Sequence, residues 1–385
     1  MHPDFCKNLR KYPYKQHFFY RLAFICIQYL IAGSHLSAQE KKVVIGYVGG
    51  FNGLVNAAHI DASKLTHINY AFVDIKGNQA WLHNEKTDTV NFRVLNTLKK
   101  NNPSLKILIS IGGWSWSENF SDATFTDSSR KAFALSSVRI LQNHNLDGVD
   151  IDWEYPGIPG EDGNVFRAED KENYTLMFKE IRQALNELEK ITQKKYLLTT
   201  AVGGFDKYIQ HTEMGKAAAY LDYVNLMTYD YSFGVSGHHS NLYNTTDDEK
   251  ENSAHKAVTA YMAAGVPANK IVMGIPFYGR GGIVATTANK GRGQPYESPL
   301  RVGGYTYIKD SLVSQPGYKT YWDKKAKAPY LFNKQTRAFV TYENERSLEY
   351  KIKYVKKYRL AGVMFWQYSS DPKEYLLSTI QENLN

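Results

Sequence analysis

The stretch Asp147-Gly-Val-Asp150-Ile-Asp152-Trp-Glu154-Tyr-Pro156 alternates apolar and acidic residues from Val149 to Glu154. Successive side chains of a strand point to opposite faces. Asp150, Asp152 and Glu154 therefore share one face, and Val149, Ile151 and Trp153 share the other. The acids rise at intervals of ~6.6 Å, with Glu154 at the carboxyl end. Taken alone, the pattern also suits a solvated edge strand, so its neighbours decide.

Comparable β-rich runs recur at Val43 to Gly49, His67 to Val73, Lys106 to Ile111, Leu197 to Val202, Tyr223 to Thr228, Lys270 to Ile275 and Gly362 to Phe365. Between them, helical periodicity marks Phe92 to Lys100, Arg130 to Gln142, Glu172 to Leu188, Ser253 to Ala264 and Ser347 to Tyr358. Strands alternating with helices imply a parallel sheet with helices outside. Eight such strands predict an α/β fold, a closed (β/α)8 TIM barrel, with a doubly wound open sheet as the alternative. In the barrel the fourth strand, Gly148 to Trp153, has no solvated edge. Its apolar face meets the helices and its acids point inward. Three carboxylates at close range cannot all ionise cheaply in a low dielectric, so at least one holds a proton.

The seventh and eighth strands begin 92 residues apart, whereas the other gaps run from 24 to 49. Within that gap, about 291–342, aromatics such as Tyr305, Tyr318, Trp322, Tyr330 and Phe339 are interrupted by Gly303, Gly304, Pro316, Gly317 and Pro329. This predicts a small inserted α+β subdomain with antiparallel strands, sitting over the carboxyl ends of the barrel strands where barrel enzymes keep their active sites.

Residues 1–38 carry Lys7, Arg10, Lys11, Lys15 and Arg21, then the apolar run Leu22 to Ala32, then Gly33, Ser34, Ser37 and Ala38. This reads as a secretory signal and leader, with cleavage after Ser34 or Ala38, and predicts a secreted or periplasmic protein. The apolar run is shorter than the ~20 residues that span a bilayer, which argues against a membrane anchor. Removing 1–38 takes five of the 47 basic residues and one of the 38 acidic ones, so the formal charge falls from +9 to about +5. The remaining charges are interspersed, which gives nucleic-acid binding little support. Cys6 and Cys26 both lie in the leader, leaving a body, 39–385, without disulfides. With 43% apolar residues in 385, burial suffices to hold it.

The acidic stretch resembles the signature D-x-x-D-x-D-x-E of glycoside hydrolase family 18, the chitinases and their relatives, matched here by Asp147, Asp150, Asp152 and Glu154. The family's S-x-G-G is similar to Ser110-Ile-Gly112-Gly113-Trp114, its M-x-Y-D to Met227-Thr-Tyr229-Asp230, and its cleft-flooring tryptophan to Trp366. The resemblance covers nearly the whole body and includes the insertion. It implies a substrate-assisted retaining mechanism, an exception to the two-carboxylate pattern. Glu154 would protonate the leaving oxygen, and the substrate's own acetamido group would attack. Asp152 would orient that group, and Asp150 would share a proton with Asp152. Tyr229 would bind the acetamido oxygen, Asp230 a sugar hydroxyl, and Trp366 the apolar face of a pyranose. Met227, from the matched motif, with Tyr47, Phe72, Trp114, Tyr278 and Arg280, completes the expected lining.

The family implies a chitinase acting on chitin or chito-oligosaccharides as a monomer, without cofactor or metal. An endo-β-N-acetylglucosaminidase acting on N-glycan cores shares the acid motif. A chitin-binding lectin of the same fold is a third reading, disfavoured by the presence of Glu154. Two further features read as bland: His238-His239 lacks the spaced partners of a metal site and suits a solvated loop, and Gly279-Arg280-Gly281-Gly282 suits a turn, lacking the Lys-Ser/Thr end of a phosphate loop.

Overall fold

Parallel strands at Val43–Gly49, His67–Lys76, Lys106–Gly112, Gly148–Asp152, Leu197–Gly203, Tyr223–Met227, Ile271–Pro276 and Gly362–Trp366 stand side by side in that order in the computed structural model. The structure describes residues 41–245 and 251–384. The expected leader and secretory signal, with Cys6 and Cys26, lie outside the described residues. The ring closes where Val43 pairs with Gly362 and Ile45 with His67, so the fold is a (β/α)8 barrel and not an open sheet.

Alternation along each strand builds two cores. Val44, Ile68, Ile109, Val149, Ile151 and Trp153 face the helices and belong to the large outer cluster. Trp153 stacks on Phe120 with ring centroids 5.1 Å apart. Val43, Ile45, Tyr47, Ala71, Val272 and Met364 form a smaller cluster that fills the barrel. Burying a side chain of this size contributes ~1.5–3 kcal/mol, so strand register is strongly specified.

Three helices start earlier than their apolar periodicity indicates, because polar caps set their ends. Asn84 caps Glu85–Thr97, Thr126 with Ser129 forms a capping box on Asp127–His144, and Asn344 with Ser347 does the same for Glu345–Lys357. No helix among the described residues is long and apolar enough to cross a membrane.

The insertion is a five-stranded antiparallel sheet among the described residues, ordered Tyr296–Pro299, Arg280–Val284, Ala338–Thr341, Ala328–Asn333 and Tyr318–Asp323. Val284, Tyr330, Phe332 and Phe339 pack on it as a core of its own. It opens at Arg280, ahead of the sequence expectation. The Gly279-Arg280-Gly281-Gly282 segment that reads as a turn leads into a strand. Its glycines serve close packing: a Cβ on Gly281 would lie 2.5 Å from the Phe339 carbonyl oxygen, and one on Gly282 2.4 Å from the Tyr296 ring.

Candidate active site

The fourth barrel strand carries Asp150 and Asp152, and Glu154 follows just beyond its end. Asp150 is fully buried. Tyr47 Oη and Ser110 Oγ donate to its Oδ2, both at 2.8 Å, and Thr199 Oγ1 at 2.6 Å and Asn225 Nδ2 at 3.2 Å donate to its Oδ1. Burial raises its affinity for a proton, and these donors oppose that rise without cancelling it.

Asp152 lies one layer higher and is buried with its Oδ1 lacking any hydrogen-bond partner among the described residues. Burial first, then the charges of Glu154 and Asp150, push its carboxyl well above the ordinary range. Glu154 is half-buried and opens on the cleft. Burial, reinforced by the charge of Asp230, pushes it to about 7 against a weaker opposing hydrogen bond from Tyr155. A carboxylic acid that keeps its proton near neutrality is what general acid catalysis requires.

The Ser110-Ile-Gly112-Gly113 stretch explains how the acids are held. Ser110 reaches Asp150, and Gly112 and Gly113 take φ of 104° and 83°. Side chains rarely adopt such values. A Cβ on Gly112 would sit 2.4 Å from the Asp152 carbonyl oxygen, and Gly113 N–H donates to that oxygen at 2.7 Å. Ser117 continues the support: its Oγ donates to Gly113 O at 2.8 Å and accepts from Glu154 N at 2.9 Å.

Two strands round the barrel, Tyr229 and Asp230 lie just past the end of the sixth strand. Arg280 grips Asp230 through two parallel hydrogen bonds of 2.8 and 2.6 Å. Burial alone would raise Asp230, but the hydrogen bonds from Arg280 and His239 hold its carboxyl far below the ordinary range. Tyr278 lies edge-on to Tyr229 at 6.2 Å and beneath the Arg280 guanidinium. Trp366 ends the eighth strand, with Phe72 stacked 5.5 Å away and Tyr47 at 5.7 Å.

These groups line one cleft of about 1320 Å³, larger than the ~300–1,000 Å³ of pockets that enclose a small ligand. Glu154, Asp152, Tyr229, Asp230, Met227, Trp366, Trp114, Tyr47, Phe72, Tyr278 and Arg280 all border it, while Asp150 lies outside its lining. The insertion contributes one wall through Arg280 and residues 300–304. Phe51, Trp116, Tyr155, Phe205, Phe233 and Gln367 also line the cleft and escape sequence reading. They sit on loops without periodicity, and only their place just after strand ends could have marked them. His238 and His239 depart from the expected solvated loop. Both are buried, His238 facing Asp323, 85 residues away, and His239 facing Asp230 with its N–H on Thr341, 102 residues away. No cluster able to hold a metal ion occurs among the described residues.

The family model for glycosyl hydrolases family 18 matches residues 43–371. Chitinase A1 of Niallia circulans is 34% identical over 94% of this chain and 61% of its own length, so this chain spans under two thirds of that relative. Chitinase B of Serratia marcescens is 32% identical over 82% of this chain and 75% of its own. Among solved structures, a glycoside hydrolase family 18 N-acetylglucosaminidase from Paenibacillus barengoltzii superposes with a TM-score of 0.83 at 39% identity, over 89% of this chain and all of that one. The stacked acids, the Ser-x-Gly-Gly support beneath them and a match over most of the chain lead to one conclusion: the protein belongs to glycoside hydrolase family 18.

Proposed function

We propose that the protein is a chitinase that hydrolyses β-1,4-linked N-acetylglucosamine chains with substrate assistance and retention of configuration. The observation that carries this reading is the pairing of Glu154 at the cleft surface, its carboxyl pushed by burial up to about 7, with a buried Asp152 one layer below. Glu154 donates its proton to the glycosidic oxygen as the bond breaks. The acetamido oxygen of the sugar on the non-reducing side attacks the anomeric carbon, giving a cyclic oxazolinium ion. Asp152, whose Oδ1 lacks a partner among the described residues, accepts the acetamido N–H and balances the positive charge. Asp150, with oxygens engaged by Tyr47, Ser110, Thr199 and Asn225, holds the charge balance below and exchanges a proton with Asp152 as it ionises. Glu154 then takes a proton from the water that opens the ring, releasing a β-configured end.

The rings of Trp366 and Phe72 supply apolar surface for the faces of successive sugars, with the sugar-binding Asp230 opposite. The wall made by the insertion favours a linear polymer over a branched glycan core. The leader residues support export to the periplasm or beyond, where such a polymer is met.

A product profile tests this reading. Incubation with chitin hexamer is expected to release short N-acetylglucosamine oligomers, and incubation with a high-mannose glycoprotein to release none. Release of intact N-glycans with the hexamer left whole would overturn the proposed substrate.

A further inference from the structure

His239 belongs to no matched motif, yet it touches the site from behind. It follows the sixth strand on the segment that returns beneath the insertion, and it is wholly buried. Its Nδ1 lies 3.5 Å from Asp230 Oδ1, on the same carboxylate that Arg280 grips. Its ring stands edge-on to Tyr278 at 5.5 Å. Its backbone is tied on both sides, since its N–H donates to Thr341 Oγ1 at 3.1 Å and its carbonyl accepts from Tyr231 N at 3.1 Å. Next to it Ser240 donates at 2.5 Å to Glu343, which is paired with Lys351, both of those side chains being fully buried.

Asp230 needs such restraint. It adopts φ of 60°, a left-handed conformation uncommon for a residue with a side chain. Arg280 alone is a loose anchor because its side chain is 48% exposed. The Nε2 atom of His239 has no partner among the described residues, so a ring with its proton on Nδ1 satisfies the better-placed neighbour and leaves only an acceptor bare. The charged groups facing the ring are Asp230 beside Nδ1, Arg280 across the carboxylate and Glu343 behind. Burial lowers the proton affinity of the ring and Arg280 adds to this, against the opposing pull of both carboxylates, so the ring stays neutral at working pH.

We propose that His239 is a positioning residue for hydrolysis, holding the Asp230 carboxylate toward the cleft as a neutral Nδ1–H donor and coupling it to the last strand of the insertion. This rests on the acid role of Glu154. Asp230 acts on that acid through its charge. Without His239 the carboxylate follows the exposed guanidinium toward solvent, where its charge is screened and Glu154 ionises more readily.

The test is the pH dependence of kcat/KM on a fluorogenic chitobioside. His239→Leu, which fills the volume without a donor, and His239→Ala are expected to lower kcat about tenfold and to move the alkaline limb down by about half a pH unit. His239→Gln, whose amide can donate to Asp230, is expected to stay within about twofold with its limb in place. In an Asp230→Asn background, His239→Leu should add no further shift. Folded variants with wild-type melting temperature and an unmoved limb, or the same shift with and without Asp230, would overturn the proposal. The ring nitrogens of the wild type, read by 15N NMR, give an answer that needs no variant. Protonation on Nδ1 is expected, and a proton on Nε2 instead would overturn the proposal. A wild type inactive on every N-acetylglucosamine substrate would overturn the proposed function itself, a result distinguishable from all of these.

Discussion

Glu154→Gln is expected to remove nearly all hydrolysis while oligosaccharide binding persists. Glutamine keeps the shape of the side chain and the backbone contacts of residue 154, namely Ser117 Oγ on its N–H and Asn164 Nδ2 on its carbonyl. It cannot deliver an acidic proton. Loss of a general acid costs ~10²-fold or more in turnover, with kcat and kcat/KM falling together because the lost interaction is made only in the transition state. In the wild type, burial and Asp230 set the acid at about 7. Activity should therefore fall as pH rises through that value, and the variant should lose this alkaline limb along with its rate. The check is steady-state kinetics on chitin oligomers beside calorimetric binding. A variant retaining more than about a tenth of wild-type turnover would remove Glu154 from the role of acid.

Asp152→Asn is expected to cost at least ~10²-fold in kcat and to alter the remaining pH profile. Both effects follow from position. Asp152 is buried with a bare Oδ1, so its charge develops where the oxazolinium ion would form, and a neutral amide offers no such balance. Its interaction with Glu154 outweighs that with Asp150, and two interacting acids titrate as a pair. A neutral amide at 152 removes this coupling and the proton shared with Asp150, so the pH profile changes. The pH profile of kcat measures this, with circular dichroism confirming the fold. A near-normal rate with an unmoved limb would dismiss Asp152 from the mechanism.

How far the chain could be read in advance depended on the range of the interactions involved. Val149 to Glu154 announced a strand with an acidic inner face because alternation is local, and the structure places Val149, Ile151 and Trp153 in the outer core with Asp150 buried inside. The barrel followed from alternation of strands and helices, again a pattern of neighbours. Helix starts were less legible. Glu85–Thr97 opens with polar residues that an apolar count passes over, although Asn84 caps it. Gly279 to Gly282 looked like a turn because glycine's usual use is conformational, whereas here space for Phe339 and Tyr296 is the reason. His238 and His239 were illegible for a different cause: Asp323 is 85 residues from the one it faces, and Thr341 is 102 residues from the other. The surroundings of Asp150 fall between these cases. Its burial was foreseen, but the hydroxyls of Tyr47, Ser110 and Thr199 come from three other strands.

The proposed mechanism requires the substrate's acetamido group to be the nucleophile. Partly deacetylated chitosan separates this from attack by an enzyme carboxylate or by water, since a free amine on the non-reducing side of the cleaved bond offers no carbonyl oxygen. Digestion followed by sequencing of the new reducing ends, with the first products read by proton NMR before mutarotation, is the direct measurement. N-acetylglucosamine at essentially every new reducing end, initially as the β anomer, is the predicted result. Frequent glucosamine at those ends, or an initial α anomer, would contradict it.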